Sequence, residues 1–141
     1  MGWWCDSTAL LKEAYVGEPS RPFFPLTAEF AAGSNNSTVA MTNTTVVIPD
    51  TQHMDDDVAY YVCSSKVRSE VCAPIAVPKL VGGGVPGSKD EVEGSGPAPG
   101  VIGIIDVEAW DAHHFSPAHI DVILHTCAEL GRHTLFIGPL Q

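Results

Sequence analysis

The chain has 141 residues, 45% of them hydrophobic and 17% charged, the proportions of one globular domain that can bury a core without disulfide staples. Its 17 acidic residues outnumber 7 basic ones, and the net charge of −10 excludes a surface built for nucleic-acid phosphates or anionic membrane. A small molecule or another protein is the expected partner.

No apolar run approaches the ~20 residues of a membrane-spanning helix, and no charged-then-apolar leader opens the chain, so a cytoplasmic protein is expected. Gly2-Trp3-Trp4-Cys5 predicts a strand, followed by a turn near Asp6-Ser7-Thr8 and a second strand from Ala9 to Val16. Pro and Gly make 17–22 a loop. The polar cluster 33–38 predicts a turn and N-cap leading into a short helix from Thr38 to Asn43, with a strand from Thr44 to Ile48 stopped by Pro49-Asp50. The glycosylation triplets at Asn35, Asn36 and Asn43 are read as chance. Asp55, Asp56 and Asp57 are expected at a helix N-terminus rather than in a metal site.

The segment Tyr61 to Pro74 sets a cysteine, Cys63, in a small polar loop, then Ser69-Glu70, then an apolar run to Val77 that reads as a buried strand. A Gly- and Pro-rich stretch, 81–100, is a flexible loop between this strand and the next, Val101 to Glu108. That second strand is apolar until Asp106 and Glu108, which period-two alternation puts on one face. Ser116-Pro117 is an N-cap and first-turn pair, and Ile120, Ile123, Leu124, Cys127 and Leu130 form the core stripe of the helix it opens. The histidines around and within that helix lack a zinc-binding spacing, so no metal or cofactor is expected.

The four cysteines, Cys5, Cys63, Cys72 and Cys127, show no C-x-x-C pair. A thiol at Cys63 and a carboxylic acid at Glu70 form the minimal apparatus for reducing a sulfoxide: a nucleophile at sulfur and a proton for the departing oxygen. Burial beside two other carboxylates raises the pKa of Glu70 and suits it to be that acid. The same acidity penalises a thiolate, and Arg68, Lys66 or loop N–H groups are expected to offset it.

Cys63 with Ser69-Glu70 and Pro74, then Gly103-Ile104-Ile105-Asp106-Val107-Glu108, Phe115 and an amphipathic helix, resembles the GAF-domain free methionine-(R)-sulfoxide reductases. The resemblance runs from about Gly2 to Phe136. It implies an α+β fold, a single GAF-like domain over 1–141 with a six-stranded antiparallel sheet, helices on one face and a ligand pocket on the other. It implies reduction of free L-methionine-(R)-sulfoxide, recycling by thioredoxin or another thiol reductant, and leaves a homodimer open. Cys63 and Glu70 would be catalytic, Asp106 and Glu108 would bind substrate, and Trp4 would form an aromatic pocket wall. The family's N-terminal helix and two of its three usual cysteines are missing; Arg21 and Asn35 stand near the places of those two. A GAF binding or regulatory module without turnover is therefore the alternative. Cys72, two residues beyond Glu70 and expected on the same face, is either a resolving thiol or a packing residue served by an external thiol.

Overall fold

A computed structural model of the chain describes residues 2–17, 21–78 and 94–134. The expected flexible loop at 81–100 lies largely outside the described residues. Its last part is pinned: Gly96 N donates to Leu26 O at 2.8 Å and Ala98 N to Ala40 O at 2.8 Å.

The first hairpin joins β1 (Gly2–Cys5) to β2 (Ala9–Ala14). Its turn is held by Asp6, whose carboxylate accepts from Thr8 N at 2.7 Å. After β3 (Phe23–Pro25), Thr27 caps the single turn α1 (Ala28–Ala31). The next helix, α2 (Asn35–Thr42), starts three residues earlier than its sequence suggests, because the Ser34 hydroxyl accepts from Ser37 N and caps it. Asn43 ends it in the left-handed conformation. Strands β4 (Val46–Ile48), β5 (Ser69–Ala76) and β6 (Val101–Ala109) follow, and α3 (Pro117–Thr134) closes the described chain. The aspartates at 55–57 lie in turns, and no helix begins there.

The strands form one sheet in the order β3-β2-β1-β6-β5-β4, every neighbouring pair antiparallel. This is the α+β, six-stranded antiparallel architecture expected, but helices cover both faces. On one face Cys72 and Ile104 pack with Trp3, Leu10, Phe24 and Leu26 beneath Val39 and Ala40 of α2. On the other, Ala73 and Ile75 meet Ile123 and Cys127 of α3.

Two glycines let backbone approach backbone. A Cβ at Gly103 would lie 2.3 Å from the Trp3 carbonyl oxygen, and one at Gly131 would lie 2.1 Å from that of Ala76. Gly131 thus seats the last turn of α3 on the end of β5, and the expected stripe is corrected: Cys127 and Gly131 are buried, whereas Leu124 and Leu130 are 39% and 45% exposed.

Candidate active site

The pairing of β5 with β6 sets Glu70 opposite Glu108 and Cys72 opposite Asp106. Residues directly opposite in an antiparallel pair have Cβ atoms roughly 5 Å apart, so register alone assembles three carboxyl groups and a thiol into one patch. Oxygens of Glu70, Asp106 and Glu108 lie within 4.8 Å of one another. Glu70 and Asp106 are buried and Glu108 is half-buried. On its other side Glu70 faces Ile48 of β4, itself buried, so water is displaced from both flanks.

The first turn of α2 reaches into this patch. Asn35 Nδ2 donates to Glu70 Oε1, and Asn36 Nδ2 donates to Asp106 Oδ2 at 3.0 Å. Both amides are 1% exposed. Burial and then the charge of Asp106 push the Glu70 carboxyl well above its ordinary range, and its hydrogen bond to Asp106 adds to the rise. Asp106 is also raised by burial, but the Asn36 amide and the Glu70 hydrogen bond pull it back. The protonated partner is therefore Glu70, donating to an ionised Asp106. Burial and then Asp106 lift Glu108 to about 7.

Cys63 lies in the segment between β4 and β5. The base of that segment is clamped by Arg68, whose Nη2 donates to both carboxylate oxygens of Asp50 at 3.0 and 3.1 Å, and by Thr51 Oγ1 on Val67 O at 2.8 Å. Cys63 is half-buried against the cluster that contains Cys72. Burial and then the charges of Glu108, Asp106 and Glu70 push its thiol up to about 12. Burial and then the charges of Glu70, Glu108, Cys63 and Asp106 also raise the Tyr60 phenol.

The expected helpers of the thiolate are corrected. Arg68 is committed to Asp50, and Lys66 lies over the Trp110 ring at 5.3 Å. Arg21 is the cation that lowers the Cys63 pKa. Trp4 does not join the patch: it is 43% exposed, on the face of β1 opposite to its neighbour. Trp3 is the buried one, in the cluster with Cys72 and Ile104, its ring edge-on to Phe24 at 4.8 Å. Cys72 is fully buried, with its pKa raised by burial and then by Asp106. No disulfide joins the four cysteines.

Sequence reasoning missed Asn35, Asn36, Tyr60 and Arg21. The available signal was a pair of amides directly behind a good capping serine and ahead of the apolar Val39-Ala40. Two buried polar atoms, Asn35 Oδ1 and Trp3 Nε1, have no hydrogen-bond partner among the described residues. The three carboxylates would also suit a hard divalent cation if all were ionised. Among the described residues no helix is long and apolar enough to cross a membrane.

No protein-family model matches the chain, and no curated protein does. Solved structures match its fold. One described as the GAF domain superposes with a TM-score of 0.64 at 14% identity, over 92% of this chain; the chain spans 60% of that structure's length. The type II free methionine-R-sulfoxide reductase from Thermoplasma acidophilum gives 0.62 at 17% identity, over 92% of this chain and 73% of that one. The free methionine-R-sulfoxide reductase from Neisseria meningitidis, solved in complex with its substrate, gives 0.55 at 18% identity, over 94% and 68%. The fold of this chain is GAF-like.

Proposed function

We propose that this chain is an oxidoreductase that reduces free L-methionine-(R)-sulfoxide, with Cys63 as nucleophile and Glu70 as general acid. The observation that carries the reading is the β5–β6 register, which sets Glu70, Glu108, Cys72 and Asp106 in one patch with Cys63 beside it. A buried, protonated Glu70 holding a hydrogen bond to an ionised Asp106 is a proton donor that survives at neutral pH.

Cys63 enters as a thiol. As its sulfur attacks the sulfoxide sulfur, its proton passes to Glu108, whose pKa of about 7 suits an acceptor near neutrality. Glu70 protonates the sulfoxide oxygen. Transfer of that oxygen to Cys63 releases methionine and leaves a cysteine sulfenic acid: the methionine sulfur is reduced by two electrons and the cysteine sulfur oxidised by two. One thiol condenses with the sulfenic acid, releasing water, and a second thiol frees Cys63, so two thiols of thioredoxin or another reductant balance each turnover. Asp106, and Glu108 until it takes up the Cys63 proton, supply negative charge to the substrate ammonium.

A single-turnover experiment without reductant tests this. Methionine should appear in amounts equal to protein, with Cys63 oxidised to a sulfenic acid or a disulfide by mass spectrometry; no methionine and an unmodified Cys63 would overturn the reading. One observation favours the alternative, a GAF module that binds a small molecule without turnover: the Cys63 thiol is held at about 12, far from the thiolate. Saturable binding of the sulfoxide with no methionine released is the result that module predicts.

A further inference from the structure

The chain carries three described arginines, and two of them are paired with carboxylates: Arg68 with Asp50, and Arg132 with Glu129. The third, Arg21, has no carboxylate partner among the described residues. Its guanidinium carbon instead lies 5.4, 5.2, 5.0 and 5.1 Å from the ring centroids of Phe23, Phe24, Phe30 and Tyr61. Four aromatic faces hold the cation in place by the attraction of their π-systems, yet none of them consumes an N–H donor. A planar fork of donors is thereby oriented and left able to bind an anion.

The position of the cage gives that anion a place. Tyr61 is two residues before Cys63, and Phe24 belongs to the buried cluster against which Cys63 packs. Phe30 and Tyr61 also line a cleft of about 410 Å³, with Pro25, Thr27, Glu29 and Gly33. That volume falls in the range of small-molecule sites, and the cleft meets the cage at these two rings, while Arg21, Cys63 and the carboxyl patch lie outside its lining. A free amino acid is a zwitterion, and the negative charge of Asp106 and Glu108 answers only its ammonium end. The positive charge of Arg21 acts on Cys63, and its cage partner Tyr61 stands two residues from that thiol.

We propose that Arg21, held in its cage of Phe23, Phe24, Phe30 and Tyr61, is the anchor for the α-carboxylate of the substrate. This rests on the reductase reading for the identity of the amino acid, but the anchor itself is tested by binding alone. A bidentate guanidinium–carboxylate pair is the strongest polar contact such a site can offer, and the amide of a peptide bond cannot form it.

The test compares L-methionine with its neutral-ended carboxamide by calorimetry, on the wild-type protein and on Arg21→Gln. The sign of the preference decides. The carboxamide is a net cation, so an acidic trio without an anchor would favour it. With the anchor, wild-type protein should bind the acid about ten- to hundredfold more tightly, the range expected of a charged hydrogen-bonded pair. Arg21→Gln should erase or reverse that preference and leave carboxamide affinity within about twofold. Arg21→Lys, which keeps the charge but not the fork, should retain part of it. Wild-type protein that binds the carboxamide as well as the acid overturns the anchor, as does an Arg21→Gln protein, folded by circular dichroism, that keeps the full preference. A preference that follows Arg21 in a protein that releases no methionine from the sulfoxide overturns the reductase reading and leaves the anchor standing.

Discussion

Replacing Glu108 by Gln removes one charge from the carboxyl patch, and the consequence for stability has a definite sign. The folded-state pKa of Glu108, about 7, lies above the ordinary 4.5 because burial and the Asp106 charge oppose ionisation. A group raised in this way contributes its full stability below the unfolded pKa and loses it as pH rises through the folded one. Wild-type protein should therefore weaken between about pH 4.5 and 8, while the Gln variant, neutral throughout, should not lose this part. At ~1.4 kcal/mol per pH unit the gap would be worth ~3 kcal/mol in a sealed site. Glu108 is partly open to solvent, and screening reduces the figure to about 1–2 kcal/mol. Urea unfolding at pH 5 and pH 8 measures it. The two proteins should match within about 0.5 kcal/mol at pH 5, and the variant should lead by about 1–2 kcal/mol at pH 8. An advantage that is the same at both pH values, or a variant less stable at pH 8, refutes the reasoning.

Three further outcomes follow from the same geometry. Glu70→Gln should lower single-turnover reduction by about a hundredfold or more, as expected for loss of a general acid, with the folded state retained; a loss under about tenfold would remove Glu70 from that role. Gly131→Ala should destabilise the protein by roughly 2 kcal/mol in urea, because the new Cβ would stand 2.1 Å from the Ala76 carbonyl oxygen and backbone must shift to admit it; an unchanged midpoint would mean that α3 does not seat there. Peptide mapping after one turnover decides the role of Cys72: a Cys63–Cys72 disulfide makes it the resolving thiol, and a Cys63 sulfenic acid that persists until external thiol is added makes it a packing residue.

What the sequence made legible was local. Ser116-Pro117 announces the start of α3 because capping chemistry is carried by adjacent residues, and the two-residue spacing of Asp106 and Glu108 fixes their shared face once the strand is recognised. Phase was harder. Trp3 and Trp4 are equally apolar, so alternation along β1 does not say which one is buried; pairing of Trp3 with Ile104 decides it, and that is a property of β6. Leu124 and Leu130 fit the apolar stripe of α3, yet Gly131 sets the rotation of the helix on β5, and a glycine carries no hydropathy signal. Asn35 and Asn36 read as turn residues because their partners stand 35 and 70 positions away. The cation that acts on Cys63 was misplaced for the same reason: Arg68 is near in sequence but turned to Asp50, while Arg21 arrives through a fold that no spacing encodes.

The division of labour between the two arginines explains how an acidic chain can keep a carboxyl patch at its centre. Burying carboxyl groups beside one another costs stability, and an apolar core at Glu70 and Asp106 would cost less. Arg68, the basic residue closest in sequence to Glu70, does not serve the patch: it is spent on Asp50 to close the base of the Cys63 segment. From the helix above, the neutral amides of Asn35 and Asn36 donate to Glu70 and Asp106. Each amide holds its oxygen in place and lowers that carboxyl's pKa, but burial and the neighbouring charge still keep Glu70 raised, so one proton stays in the pair. A guanidinium in that place would ionise Glu70 and remove the acid. Arg21 is set apart on its aromatic rings, close enough to act on Cys63 while Asn35 and Asn36 are the groups that meet the carboxyl pair. Retaining a protonated acid, an ionised neighbour and a separate cation in one small volume is a cost that packing does not require and that the proposed proton transfer to a zwitterionic substrate would.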